Sequence, residues 1–357
     1  MLKDHIAIAC VAAAMLAVAA TSTTSAAQKG SGGGSTTGTT GGSATKVFTY
    51  ETSGAVNTAY SMNTDGTGKA AMFNQSATFP YDPIHVSYAL HGGSRWFVQL
   101  ADPGFATSEF APELRFFSQT GQQSVIALAL GNVDPAALGG MRWVPGDQEV
   151  SFVGRRIEGA VWSEFHELIG GDVVEAGVFG MQVLFDGLGA PMGVGAPYLK
   201  LSTPMVAYDE FEKFSILYDY DWSPDGLTIV GTGPLNGSGS QLFTIDAGGS
   251  FVVRSGGSYG SPAWSPGTSN RLVFAEGIAG GGSKLCTIGS NGVGFQVVFA
   301  PKQTASVKRS TAFVKWSPDA ASLLYVLRDP NDNGLYRVLA SGSGNVKIGV
   351  GRPIGWK

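Results

Sequence analysis

Trp222-Ser223-Pro224-Asp225-Gly226-Leu227-Thr228-Ile229-Val230 decides the fold, because its kernel recurs along the chain. Proline holds φ near about −65° just after the tryptophan, and Asp or Gly then supplies the turn back. The apolar residues that follow, Leu227 to Val230, read as the returning strand of a hairpin. Variants of the kernel stand at Trp143-Val144-Pro145-Gly146-Asp147, Trp264-Ser265-Pro266-Gly267 and Trp316-Ser317-Pro318-Asp319. Each precedes a short apolar strand: Val150 to Val153, Leu272 to Phe274 and Leu323 to Val326.

A second kernel follows at a steady offset. Leu242-Phe243-Thr244-Ile245, Leu285-Cys286-Thr287-Ile288 and Leu335-Tyr336-Arg337-Val338 each run into a Gly/Ser/Asn/Asp-rich turn. From each Trp to the matching Phe243, Cys286 or Tyr336 the separation is 21, 22 and 20 residues. Four strands in a repeat of about 40–50 residues are the signature of a propeller blade, and a β-sandwich has no reason to keep such offsets. Upstream, Tyr88 takes the Trp position with His91-Gly92-Gly93 as its turn, and Ala59-Tyr60-Ser61-Met62 matches the second kernel. The Trp belonging to that first repeat would fall near position 39, inside a Gly/Thr run where no strand can start. Ile354-Gly355-Trp356, at the other end, supplies the missing strand to the blade begun by Val47 to Tyr50. Tyr88, Trp143, Trp222, Trp264, Trp316 and Trp356 then mark six blades. The expected fold is all-β: a six-bladed β-propeller over residues 46–357, closed by the C-terminal strand joining the N-terminal blade.

Trp-Ser-Pro-Asp-Gly, a strand, and then Tyr60-Ser61-Met62-Asn63-Thr64-Asp65-Gly66 resembles the WD-repeat-like propeller repeat of the TolB family. The resemblance covers residues 46–357, clearest over 220–350 and weakest over 150–220. It implies a propeller fold, a secreted location and a habit of binding proteins. The TolB family carries an N-terminal α/β domain ahead of its propeller, whereas the residues before 46 here read as a leader and a linker.

Residues 1–27 read as a signal peptide: Lys3, an apolar run of 15 residues from Ile6 to Ala20, and small residues at Ser25-Ala26-Ala27. That run is shorter than the about 18 residues of a membrane span, and no later stretch approaches it. Residues 28–45 are a Gly/Ser/Thr-rich flexible linker. If Cys10 leaves with the signal and is not a lipidation site, Cys286 has no partner for an intrachain disulfide. A net charge of −4 with 14% charged residues excludes a basic nucleic-acid footprint.

The repeat breaks once. Trp143 and Trp222 are 79 residues apart, against 42, 52 and 40 for the later intervals. The excess falls at 156–176 and at 203–217, and the third strand of that blade is expected near Gln182 to Phe185. Long loops on a rigid scaffold are where function concentrates. Residues 158–221 hold eleven acids against Lys200 and Lys213, a local net of −9, whereas 246–357 has a net of +7. The expected recognition surface combines Trp162, Glu164, His166, Glu167, Asp209, Glu210, Glu212 and Asp219.

Several catalytic look-alikes fail on context. Gly256-Gly257-Ser258-Tyr259-Gly260 fits a nucleophile elbow, but no His follows it and it sits where a blade-to-blade loop belongs. His166-Glu167-Leu168-Ile169 begins a zinc motif that Gly170 breaks. Asp329-Pro330-Asn331-Asp332-Asn333-Gly334 starts like a calcium loop, yet Ala340 stands where the bidentate Glu belongs. The expectation is therefore a monomeric, non-catalytic scaffold without cofactor, periplasmic or extracellular, binding a protein partner at the cell envelope. Two alternatives stand beside it: a carbohydrate- or peptide-active enzyme using carboxylates of 158–221, and a calcium-stabilised structural module.

Overall fold

The computed structural model describes residues 45–53, 56–76, 85–87, 90–101, 113–135, 141–159, 161–162, 168–203, 205–207, 213–215, 217, 219–234, 240–330 and 333–356. The signal peptide, nearly all of the linker and Tyr88 lie outside the described residues. Those described form strands and turns with no helix, arranged as six blades in a ring.

Blade two holds His85–Val86, Trp96–Ala101, Glu113–Ser118 and Gln123–Ala127, from the ring's inside outward. Blade four holds Asp219–Trp222, Ile229–Gly233, Gln241–Asp246 and Gly249–Arg254. Blade five runs Tyr259–Trp264, Arg271–Gly277, Ser283–Gly289 and Gln296–Phe299. Blade six runs Ser310–Trp316, Ser322–Arg328, Gly334–Leu339 and Val346–Gly349. In blade one the innermost strand is Arg352–Trp356, followed outward by Lys46–Ser53, Val56–Asn63 and Ala70–Ser76. Val47 stands opposite Trp356 and Tyr50 opposite Arg352, so the C-terminal strand closes the ring in the expected register.

The burial pattern follows from this stacking. A middle strand is covered on both faces by its neighbours, so it reads as an unbroken apolar run. Leu323 to Leu327 and Leu272 to Glu276 are buried throughout. The outer strand Gln123–Ala127 faces water and alternates. The core is correspondingly divided into wedges between blades: Trp96, Phe116, Trp143 and Phe179 fill the one between blades two and three. Leu285, Val314, Leu323 and Tyr325 fill that between five and six.

Three of the kernel tryptophans tie their blade to the one before it, whereas the buried Trp264 and Trp356 Nε1 groups have no partner among the described residues. Trp143 Nε1 donates to Trp96 O at 3.1 Å, Trp222 Nε1 to Ser151 Oγ at 2.8 Å, and Trp316 Nε1 to Ala263 O at 3.2 Å. The turns after Trp222 and Trp316 share a side-chain lock. Ser223 Oγ donates to Asp225 Oδ1 at 2.5 Å and accepts from Thr228 N, while Leu227 N also donates to Asp225 Oδ1. Ser317, Asp319, Ala321 and Ser322 repeat the same set of bonds in blade six.

Blade three departs from the others. Its second and third strands, Glu149–Glu158 and Asp172–Phe185, run 10 and 14 residues, against five to eight elsewhere. Val133–Pro135 and Arg142–Trp143 pair successively along its inner edge, and Pro191–Val194 and Tyr198–Ser202 along its outer edge. The third strand thus covers the expected Gln182 to Phe185 but starts ten residues earlier. The surplus at 156–176 is folded in large part as strand: Val161–Trp162 pairs with Leu168–Ile169 at the head of one long hairpin. The surplus at 203–217 likewise holds a hairpin, Met205–Ala207 paired with Lys213–Ser215.

Candidate functional site

In blades three to six the kernel turn joins the innermost strand to the second, so it lies at one end of the ring. Strand alternation puts the second-to-third turns and the blade-to-blade connections at the opposite end. Both surplus hairpins belong there. The second lies beside the stem of the first, since Lys213–Ser215 lies against Glu149–Glu158 and Asp172–Phe185. Two insertions far apart in sequence therefore build one raised face over blades three and four.

Among the residues expected to form the recognition surface, Trp162 is placed by its backbone, opposite Leu168 in that hairpin. Glu164, His166, Glu167, Asp209, Glu210 and Glu212 lie outside the described residues. Glu158 and Asp172 are exposed and stand directly opposite each other in the pairing. Val161, 63% exposed, and Val174, 41% exposed, add apolar area beside them.

Asp219 sits elsewhere, on the innermost strand of blade four. Arg142 Nη2 donates to its Oδ1 at 2.6 Å, and Arg142 Nε donates to Tyr220 O at 2.6 Å. Burial raises the Asp219 carboxyl above its ordinary value against the downward pull of Arg142. A third of its side chain stays accessible, so water screens the pair. Asp221 Oδ2 accepts from Trp264 N at 2.9 Å and so ties blade four to blade five. Lys315, on the innermost strand of blade six, is near enough to Asp221, Arg142 and Asp219 to feel their charges, and burial lowers its pKa.

Arg142, Asp221 and Lys315 each stand immediately before a kernel tryptophan, Trp143, Trp222 and Trp316. Strand alternation turns that position away from the Trp face. A repeat alignment therefore contained the signal for this charged inner cluster, which charge counting along the chain missed.

The look-alike motifs occupy ordinary places. Ser258 lies in the connection between blades four and five, its carbonyl accepting from Gly277 N at 2.7 Å. The Asp329 carboxylate is held by the Arg309 guanidinium, and Asn331 and Asp332 lie outside the described residues. Cys286 is buried, its thiol pushed up to about 12 by burial and by the Glu276 carboxylate.

Among solved structures the chain is similar to TolB from Acinetobacter baumannii, with a TM-score of 0.52 and 14% identity. The match covers 87% of this chain and 66% of that one, so the chain spans slightly less than two thirds of that relative. The TM-score with putative TolB from Agrobacterium tumefaciens is also 0.52, at 13% identity over 88% of this chain and 94% of that one. The fold is a TolB-like six-bladed β-propeller. An acylaminoacyl peptidase also matches, at a TM-score of 0.44 and 10% identity over 85% of this chain and 52% of that one, a level that carries no argument. No family model matches the sequence, and no curated protein matches it.

In this TolB-like propeller the expectation of a closed ring of six blades holds. Among the described residues no helix is long and apolar enough to cross a membrane.

Proposed function

We propose that this TolB-like propeller is an exported, non-catalytic scaffold that binds a protein partner at the cell envelope through the raised face over blades three and four. The exposed opposition of Glu158 and Asp172 carries the reading. Like charges directly opposite each other destabilise a strand pair, so these acids do not serve the hairpin's own stability. They serve a basic partner, whose approach the local net charge of −9 over 158–221 would steer. The inner acids support a structural role for themselves. Asp219 is taken by Arg142, Asp221 by Trp264 N, Glu149 by Tyr198 and Lys200, and Glu175 by Arg156.

Photo-crosslinking in cells from the full chain, with the probe at Val161 or at Gln123, tests this. A discrete envelope protein captured from Val161 and absent from Gln123 is the expected result. The scaffold reading fails if neither position captures a protein and the chain degrades a polysaccharide or peptide panel with turnover abolished in Asp219→Asn. In that case the carboxyl that burial raises would be the general acid.

A further inference from the structure

Phe313 is held unusually. It lies in the innermost strand of blade six at φ 54°, within a register shift between Ala312 and Lys315. Its N–H donates to Ser261 Oγ of blade five at 2.9 Å, and Ser261, at the matching place three residues before Trp264, has φ 51°. A left-handed residue that carries a Cβ costs about 1–2 kcal/mol, and such strain gathers at working sites.

Two guanidinium groups pack on the Phe313 ring. Arg352 Cζ lies 4.5 Å from the ring centroid and Arg328 Cζ 5.2 Å. Arg352 Nη1 also donates to Tyr50 Oη at 3.0 Å. Neither arginine has a carboxylate within ion-pair distance among the described residues, whereas Arg309 takes Asp329 and Arg254 takes Glu276. Burial and the Arg352 charge both lower the Arg328 pKa, as expected for like charges held together. Arg328 ends the second strand of blade six and Arg352 opens the innermost strand of blade one. Both therefore sit at the end of the ring that carries the blade-to-blade connections, across from the acidic hairpins. Arg328 is exposed and Arg352 partly so.

We infer that Arg328, Arg352 and Phe313 form a clamp for a carboxylate. The ring braces both guanidinium planes, and their free N–H groups supply the paired donors that a carboxylate accepts. The carboxylate is either an acidic side chain of a bound polypeptide or a small free polycarboxylate. The clamp does not depend on the scaffold reading, because it works in either case.

Calorimetric titration of the full chain at low salt, with a hexaglutamate peptide and separately with citrate, tests the clamp. Saturable binding of at least one probe is expected, weakened about tenfold or more in Arg328→Gln and in Arg352→Gln, as losing a charged hydrogen bond demands. Arg328→Lys should fall between them and the parent, since it keeps charge without the planar fork. Binding of the peptide alone identifies a polypeptide source; comparable binding of citrate identifies a free carboxylate. Arg352 also braces Tyr50, so Arg328→Gln, which leaves that bond in place, decides the matter if Arg352→Gln melts early. Unchanged affinity in Arg328→Gln, or no binding of either probe by the parent up to about 10 mM, overturns the clamp.

Discussion

At the scale of single residues, the kernel turn tests how the sequence specifies its own geometry. Gly226 adopts φ 70° in blade four, and Ala320 adopts φ 56° at the same place in blade six. Alanine there costs about 1–2 kcal/mol, part of which is offset because glycine has more freedom to lose on folding. Ala320→Gly should therefore stabilise the protein by about 0.5–1 kcal/mol, read as a raised urea midpoint. Gly226→Ala should cost more than this gain, because its new Cβ would come within 3.3 Å of Pro145 O. The turn aspartates carry a pH signature. Hydrogen bonds from Ser223 and Leu227 hold the Asp225 carboxyl below its ordinary range, and those from Ser317 and Ala321 do the same for Asp319. A carboxyl lowered by folding adds stability that is present above about pH 4 and lost as pH falls through the folded value. Asp319→Ala should lower stability by about 1 kcal/mol at pH 7, with water at this exposed turn limiting the effect. Melting curves of parent and variant should converge below about pH 4, and a gap constant to pH 3 would contradict the assignment. Both effects were legible in Trp-Ser-Pro-Asp-Gly, since the turn chemistry is local.

At the scale of elements, the long hairpin of blade three divides into a part the ring needs and a part it does not. Val150, Phe152, Phe179 and Met181 are core residues, whereas Glu158, Gly159, Val161, Gly170, Gly171 and Asp172 are exposed. Replacing residues 159–171 with an Asn-Gly turn should leave the melting temperature within about 2 °C, because surface changes away from packed features are nearly neutral. Capture of the partner by a probe at the retained, exposed Val174 should be lost. A collapse of the fold instead would mean that the hairpin head is a structural strut. The sequence marked this element by its surplus length but read it as loop. Its pairing is settled by Ile157 opposite Val173 and Glu158 opposite Asp172, a register that only the folded blade displays.

At the scale of the whole molecule, closure is the cooperative event. Removing residues 352–357 strips blade one of its innermost strand and leaves the edge of Lys46–Ser53 unpaired. Ile354 and Trp356 are buried, at 1% and 5% exposure, so two core wedges lose a wall. Cys286, fully buried in blade five, is a convenient reporter because a thiol pushed up to about 12 reacts only once exposed. In the full chain its labelling by a disulfide reagent should be slow and track global unfolding. In the truncated chain it should be faster by about tenfold or more, and a synthetic peptide of residues 350–357 should slow it again. Equal rates in both chains would mean that the ring does not need its closing strand.

Blade count, kernel turns and the closing strand are all legible in one dimension. Each rests on short-range chemistry repeated at a fixed interval, and a period survives in one dimension. Folding alone sets the second insertion against the long strands that carry the first. Only it turned Asp219 inward onto Arg142 and gathered Arg328 and Arg352 on Phe313. The physical reason is distance along the chain. Arg142 and Asp219 are 77 residues apart, and their contact exists because neighbouring blades pack with their innermost strands side by side. No local propensity encodes such a pairing.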